Sequence, residues 1–213
     1  MPRPIYLTSP LYREGTLPLP MIDFRLLVSS LDYQGCDTLM FTSKQAVESA
    51  EQIDPGWKHL PTIAIGAATA RKIEALGGDV LYHPVSFYGK ELAADILERF
   101  RDRRVLYLRP RTVSFDSQDF LARAGYTLHE QVIYETFCRE HPLTAKPKAG
   151  SIVIFTSPST IHCFLEHFGW EESYTAVVIG HATVEHLPEG ADYVVAKTPL
   201  IDACVDAAKT IAN

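Results

Sequence analysis

Short apolar runs alternate along this chain with longer stretches in which apolar residues recur every three or four positions. The short runs are rich in β-branched and aromatic residues and predict strands; the longer ones predict amphipathic helices. A first strand covers 5–8 and ends before Pro10. Residues 11–19 contain Gly15 and Pro18 and are too short and broken for a helix. Residues 21–28 are extended again, and we pair them with the long strand that opens at Thr127 and runs through Gln131-Val132-Ile133-Tyr134-Glu135-Thr136. Between them lie strands over 38–42, 62–65, 80–83 and 104–108, followed in turn by helices over 44–51, 68–76, 89–100 and 118–124. Gly77-Gly78 stops the second of these helices and Gly125 closes the fourth. After a segment rich in Pro and Lys (141–150), strands over 152–155, 176–179 and 193–196 alternate with helices over 159–168, 182–187 and 200–211. Strict alternation with short connections predicts an α/β protein built on parallel sheets flanked by helices.

The pattern also repeats. Phe41-Thr42-Ser43 returns as Phe155-Thr156-Ser157, and Ile65-Gly66 with Thr69 returns as Ile179-Gly180 with Thr183. The offset is the same at both landmarks, since 156 − 42 and 180 − 66 both give 114. A constant offset across separate motifs marks two copies of one unit. The second copy has fewer strands, and the N-terminal strand is expected to complete its sheet.

Composition narrows the class without naming it. A chain of 213 residues accommodates one large domain or two small ones, and the repeat favours two. With 46% hydrophobic and 22% charged residues the chain reads as globular, and its apolar runs are much shorter than a membrane span. It enters a strand-like run directly after Met1-Pro2-Arg3-Pro4, which gives the expectation of a cytoplasmic protein. The net charge of −6 argues against nucleic acid or an anionic membrane as partner. An anionic small molecule stays open, because helix N-termini bind anions without surplus Lys or Arg. Cys36, Cys138, Cys163 and Cys204 form no CxxC and are expected as buried free thiols.

Candidate chemistry gathers at strand ends. Thr42, Ser43, Ser157, Ser159, Thr69 and Thr183, with Gly66 and Gly180, fall at the carboxyl ends of parallel strands, where open α/β sheets bind ligands. Taken singly, each hydroxyl reads as an ordinary helix N-cap; recurrence at one spacing in both copies favours binding. Neither GxGxxG nor a P-loop is present, and no Gly-x-Ser-x-Gly elbow. His162, Cys163, Glu166 and His167 match no metalloprotease spacing and read as the polar side of a helix that buries Ile161, Phe164, Leu165 and Phe168. Arg109 ends a strand and reads either as a carboxylate clamp or as a solvated surface residue. Tyr134, from pattern alone, reads as a packed strand tyrosine.

Together the motifs Phe-Thr-Ser, Ile-Gly-x-x-Thr, Val-Leu-Tyr-Leu-Arg, Val-Ile-Tyr-Glu-Thr and Phe-Thr-Ser-Pro-Ser resemble the uroporphyrinogen-III synthase family, in order and spacing, from Thr38 to the C-terminus. The resemblance implies two similar α/β domains joined by a two-stranded antiparallel β linker, with the active site in a cleft. On this sequence it implies a discontinuous domain of 1–18 plus 142–213, a continuous domain of 30–128, and linkers at 19–29 and 129–141. It implies cyclisation of the linear tetrapyrrole hydroxymethylbilane, with inversion of the last ring, loss of water and no cofactor. It makes Tyr134 the catalytic candidate, and Thr42, Ser43, Gly66, Thr69, Arg109, Ser157, Ser159, Gly180 and Thr183 the substrate-binding ones. A monomer is expected, with transient contact with the preceding enzyme of the pathway. Two other classes stay open at this point: a two-lobed binding protein that closes on an anion without reacting it, and a flavodoxin-like oxidoreductase.

Overall fold

The computed structural model describes residues 2–85 and 88–212. In chain order the strands are β1 (Ile5–Leu7), β2 (Leu17–Pro18), β3 (Ile22–Leu26), β4 (Thr38–Phe41), β5 (Thr62–Ala64), β6 (Val80–Tyr82), β7 (Val105–Pro110), β8 (His129–Cys138), β9 (Ile152–Phe155), β10 (Thr175–Val178) and β11 (Asp192–Val195). The helices are α1 (Lys44–Ile53), α2 (Ala67–Ala75), α3 (Gly89–Arg99), α4 (Ser117–Arg123), α5 (Pro158–Phe168), α6 (His181–Val184) and α7 (Ile201–Ala212). The chain divides into two compact units, residues 24–136 and residues 1–23 with 137–213. No helix among the described residues is long and apolar enough to cross a membrane.

The sheet centred on the first unit has the order β3-β8-β7-β4-β5-β6. From β8 to β6 its pairs are parallel. The strands β3 and β8 run antiparallel, shown by the amide of Leu27 donating to Ile133 at 3.0 Å and that of Arg139 to Met21 at 2.9 Å. Both faces are buried, as expected of a parallel sheet. Leu39, Phe41, Leu106 and Leu108 pack with Ala46, Val47 and Ala50 of α1 and Ala70 and Ile73 of α2. Met40, Ile63, Val105 and Tyr107 pack on the opposite face with Leu92 and Ile96 of α3 and Leu121 of α4.

One irregularity decides where Tyr134 points. Arg109 pairs with Val132 but Pro110 pairs with Tyr134, so β8 carries one extra residue, Ile133, against β7. Proline closes β7 and cannot donate to a ladder, which makes this a natural place for a bulge. Simple alternation would put Ile133 and Tyr134 on opposite faces. Instead both belong to the cluster with Leu106 and Leu108.

The other unit holds a five-stranded sheet, β11-β10-β9-β1-β2, parallel throughout. The N-terminal strand does complete it, with Ile5 opposite Ile152. Ile5, Leu7, Ile152, Ile154 and Val177 pack on Cys204, Val205 and Ala208 of α7. Residues 11–19 contain no helix, only turns leading to β2. The expectation of free thiols is corrected in part. Cys36 and Cys204 are free and buried, but Cys138 and Cys163 form a disulfide, with 5.2 Å between their α-carbons. Twenty-five positions separate them along the chain. They meet because the end of β8 runs alongside α5, a proximity that spacing along the chain does not report.

Candidate active site

The strand β4 ends at Phe41, and the next two residues supply hydroxyls. Ser43 is the N-cap of α1: its backbone is extended, and its Oγ accepts from the amide of Ala46 at 3.0 Å. The same Oγ lies 2.9 Å from the phenol oxygen of Tyr134. Thr42 is matched to a second phenol, its hydroxyl lying 2.6 Å from that of Tyr107. Each hydroxyl of Thr42-Ser43 thus engages a tyrosine from a different strand, on opposite faces of the sheet.

Both phenols are 3% exposed. Burial pushes the Tyr134 phenol above its usual range, with the Ser43 hydrogen bond working against that rise. Burial likewise pushes Tyr107 up to about 12, opposed by its bond to Thr42. Removing the negative charge of a phenolate from water is costly, so both stay protonated at neutral pH. The Tyr134 ring stands edge-on to Phe24, with centroids 6.0 Å apart. Where plain strand alternation would set Tyr134 and Ile133 on opposite faces, the bulge turns both onto one.

The repeated motifs build repeated caps. Gly66 and Gly180 are N-caps without a side-chain bond, and in each copy the amide of the following threonine, Thr69 or Thr183, donates to the glycine carbonyl at 3.0 Å. Both threonines are buried. Ser157 caps α5 as Ser43 caps α1, accepting from Thr160 at 3.4 Å, with Pro158 in the first turn. Ser159 is exposed in that turn. Extended backbone at Gly66 and Gly180 suits any residue. At Gly180 an added β-carbon would meet nothing within 4 Å, so this glycine leaves open space at the helix start.

Arg109 is committed elsewhere. Its Nε donates to Glu130 at 2.8 Å, and its Nη1 donates to the carbonyls of Pro110 and Arg111 at 3.1 and 3.2 Å. Burial raises the Glu130 carboxyl, and Arg109 opposes that rise. Two residues further on, Arg111 is mostly exposed and pairs with Glu135 at 3.1 Å. Glu135 also accepts from Nε of Arg25 at 2.8 Å and from its Nη2. The Arg25 hydrogen bond, with Arg111 beside it, holds the Glu135 carboxyl below its usual range. Sequence reasoning missed Tyr107, Arg25, Arg111 and Glu135. The available signal was the position of Tyr107 near the end of β7 and a glutamate directly after Tyr134 on a strand.

In α5, Cys163 is held in the disulfide, and Nε2 of His162 lies 3.8 Å from Glu166. Among the described residues no group of three or more His, Cys, Asp or Glu is placed to hold a metal ion.

Comparison with known proteins gives one consistent answer. A family model described as uroporphyrinogen-III synthase HemD matches residues 15–206. Among solved structures, uroporphyrinogen-III synthetase from Helicobacter pylori is 28% identical, with a TM-score of 0.81, covering 98% of this chain and 99% of that one. A mutant uroporphyrinogen III synthase from Thermus thermophilus is 14% identical, with a TM-score of 0.60 and 98% of each chain covered, and so is similar in fold.

Proposed function

The chain belongs to the uroporphyrinogen-III synthase family, and from that premise we propose how its own residues carry the reaction. The enzyme is a cyclising hydro-lyase acting on hydroxymethylbilane. The terminal hydroxyl leaves as water, and the ring closes with the last pyrrole inverted.

The observation that carries the assignment of roles is the Ser43–Tyr134 hydrogen bond, 2.9 Å long, at the carboxyl end of β4. A pyrrole nitrogen supplies the electron pair that expels the hydroxyl, so the acid need only give a proton to the departing oxygen. Tyr134 does this as a neutral phenol. Its raised pKa keeps the proton available at neutral pH. Ser43, fixed as a helix cap, orients the phenol and can relay hydrogen bonding as the proton leaves. Much of the remaining acceleration is positional: the last ring is held so that its substituted carbon is the one attacked.

The acetate and propionate groups of the bilane are taken up at the helix starts. Thr42 and Ser43 before α1, Gly66 and Thr69 at α2, Ser157 and Ser159 at α5, and Gly180 and Thr183 at α6 offer hydroxyls and amides there. The partial positive charge of a helix N-terminus allows this in a chain of net charge −6. The protein works as a cytoplasmic monomer without a cofactor.

The deciding experiment supplies hydroxymethylbilane and separates the cyclic isomers. Unaided closure gives the type I isomer, so type III product reports catalysis. Type I alone, with intact substrate and folded protein, overturns the reading.

A further inference from the structure

Glu135, Arg25 and Arg111 form a charged cluster that the proposed chemistry leaves unused. Glu135 is 9% exposed, an unusual place for a carboxylate unless it is paired. Each of its oxygens serves a different arginine: Oε1 accepts from Arg25 and Oε2 lies 3.1 Å from Nη1 of Arg111. The arginines themselves are open to solvent, their side chains 67% and 63% exposed. One buried carboxylate thus serves two guanidinium groups.

The main chain ties this cluster to the candidate acid. Glu135 directly follows Tyr134, and the amide of Arg111 donates to the Tyr134 carbonyl at 2.9 Å. Arg111 follows Pro110, the residue at which the β7–β8 register shifts. The bulge that sets the direction of Tyr134 therefore also sets where Arg111 leaves the sheet. Arg109, the carboxylate clamp suggested by sequence, is consumed by Glu130 and two carbonyls, whereas Arg111 is not. Burial of Glu135 calls for one charge partner, yet it has two, and each keeps most of its side chain in solvent. A planar guanidinium with several N–H donors is, however, well matched to a carboxylate.

We infer that Arg25 and Arg111, held in place by Glu135, form a binding pair for one acetate or propionate carboxylate of the tetrapyrrole. The inference rests on the synthase reading and names a substrate contact for it. Glu135 is a positioning residue; the arginines make the contact.

The test measures KM, kcat and melting temperature for Arg111→Gln, Arg25→Gln, Arg111→Lys and Glu135→Gln. Arg123→Gln, in an exposed helical pair with Asp119, serves as the control for loss of one positive charge. Losing a charge-assisted hydrogen bond should raise KM about tenfold in Arg111→Gln, with kcat and melting temperature little changed. Arg111→Lys should recover part of that loss, and Glu135→Gln should raise KM without touching substrate itself. In the wild type KM should rise with ionic strength, and Arg111→Gln should flatten that dependence. Wild-type KM and salt dependence in both arginine-to-glutamine variants, with type III product still forming, overturn the inference. A wild-type protein that forms no type III isomer overturns the synthase reading and this inference with it.

Discussion

Replacing Tyr134 with phenylalanine separates chemistry from packing at the centre of the candidate site. The change deletes one oxygen and keeps the ring, so its edge-on contact with Phe24 at 6.0 Å and its place among Ile133, Leu106 and Leu108 survive. What is lost is the 2.9 Å bond to Ser43. Ser43 keeps its capping bond to Ala46, so α1 stays anchored. Removing a single neutral hydrogen bond costs about 1 kcal/mol of stability. If Tyr134 is the proton donor, the kinetic effect is larger. General acid assistance is worth about 10²–10⁴-fold, and an electron-rich pyrrole pushing out the hydroxyl places this case near or below the low end. A hundredfold loss corresponds to about 2.7 kcal/mol in the transition state. The assay is the rate of type III isomer formation, with thermal unfolding recorded beside it. Because burial shifts the phenol upward, any loss of wild-type rate from Tyr134 ionisation should set in at higher pH than for a free phenol. Ser43→Ala would be a poorer probe, since it removes a cap and a phenol partner together. A Tyr134→Phe protein of near-wild-type stability and undiminished type III rate would return Tyr134 to the core and refute the reasoning.

Three further outcomes are expected. Tyr107, held at about 12 when folded and near 10 when unfolded, contributes stability that is whole below pH 10 and lost as pH rises to 12, about 3 kcal/mol in all; chemical denaturation across that range should show the decline, less steeply in Tyr107→Phe, and equal slopes would refute it. The Cys138–Cys163 disulfide closes a loop of intermediate length, worth about 3 kcal/mol, so reductant should lower the melting temperature of the wild type but not of Cys163→Ala; a wild type indifferent to reductant would contradict this. Dialysis against a chelator should leave the cyclisation rate unchanged, and a loss restored by added metal would sink the claim of cofactor-free catalysis.

Much of this architecture is legible in the pattern of residues, because strands and helices are local and their caps are repeated. Phe41-Thr42-Ser43 and Phe155-Thr156-Ser157 announce two strand ends with serine caps, and both caps form. The features that escape are those set by partners distant in the chain. Ile133 looks like any alternating strand residue until β7 is laid against it and ends early at Pro110. Arg109 looks uncommitted until Glu130, on the neighbouring strand, takes its guanidinium. Cys138 and Cys163 look unrelated until β8 passes α5. Thr42 and Ser43 read as caps or ligand contacts, and no local pattern hints that each also meets a tyrosine.

The placement of β1 has a consequence for how the chain is made. This strand leaves the ribosome before either of its neighbours, yet it lies inside its sheet, between β2 and β9. Its partner Ile152 is synthesised 147 residues after Ile5. At about 5–20 residues per second, that interval lasts on the order of 7–30 seconds. The unit at 24–136 has all its residues in one stretch and can fold during the wait. Ile5 and Leu7 meanwhile have no sheet to enter, and at three residues β1 is too short to be much of a template for pairing between nascent chains. The second unit can close only when β9, β10 and α7 have emerged, whereas the first waits for none of them.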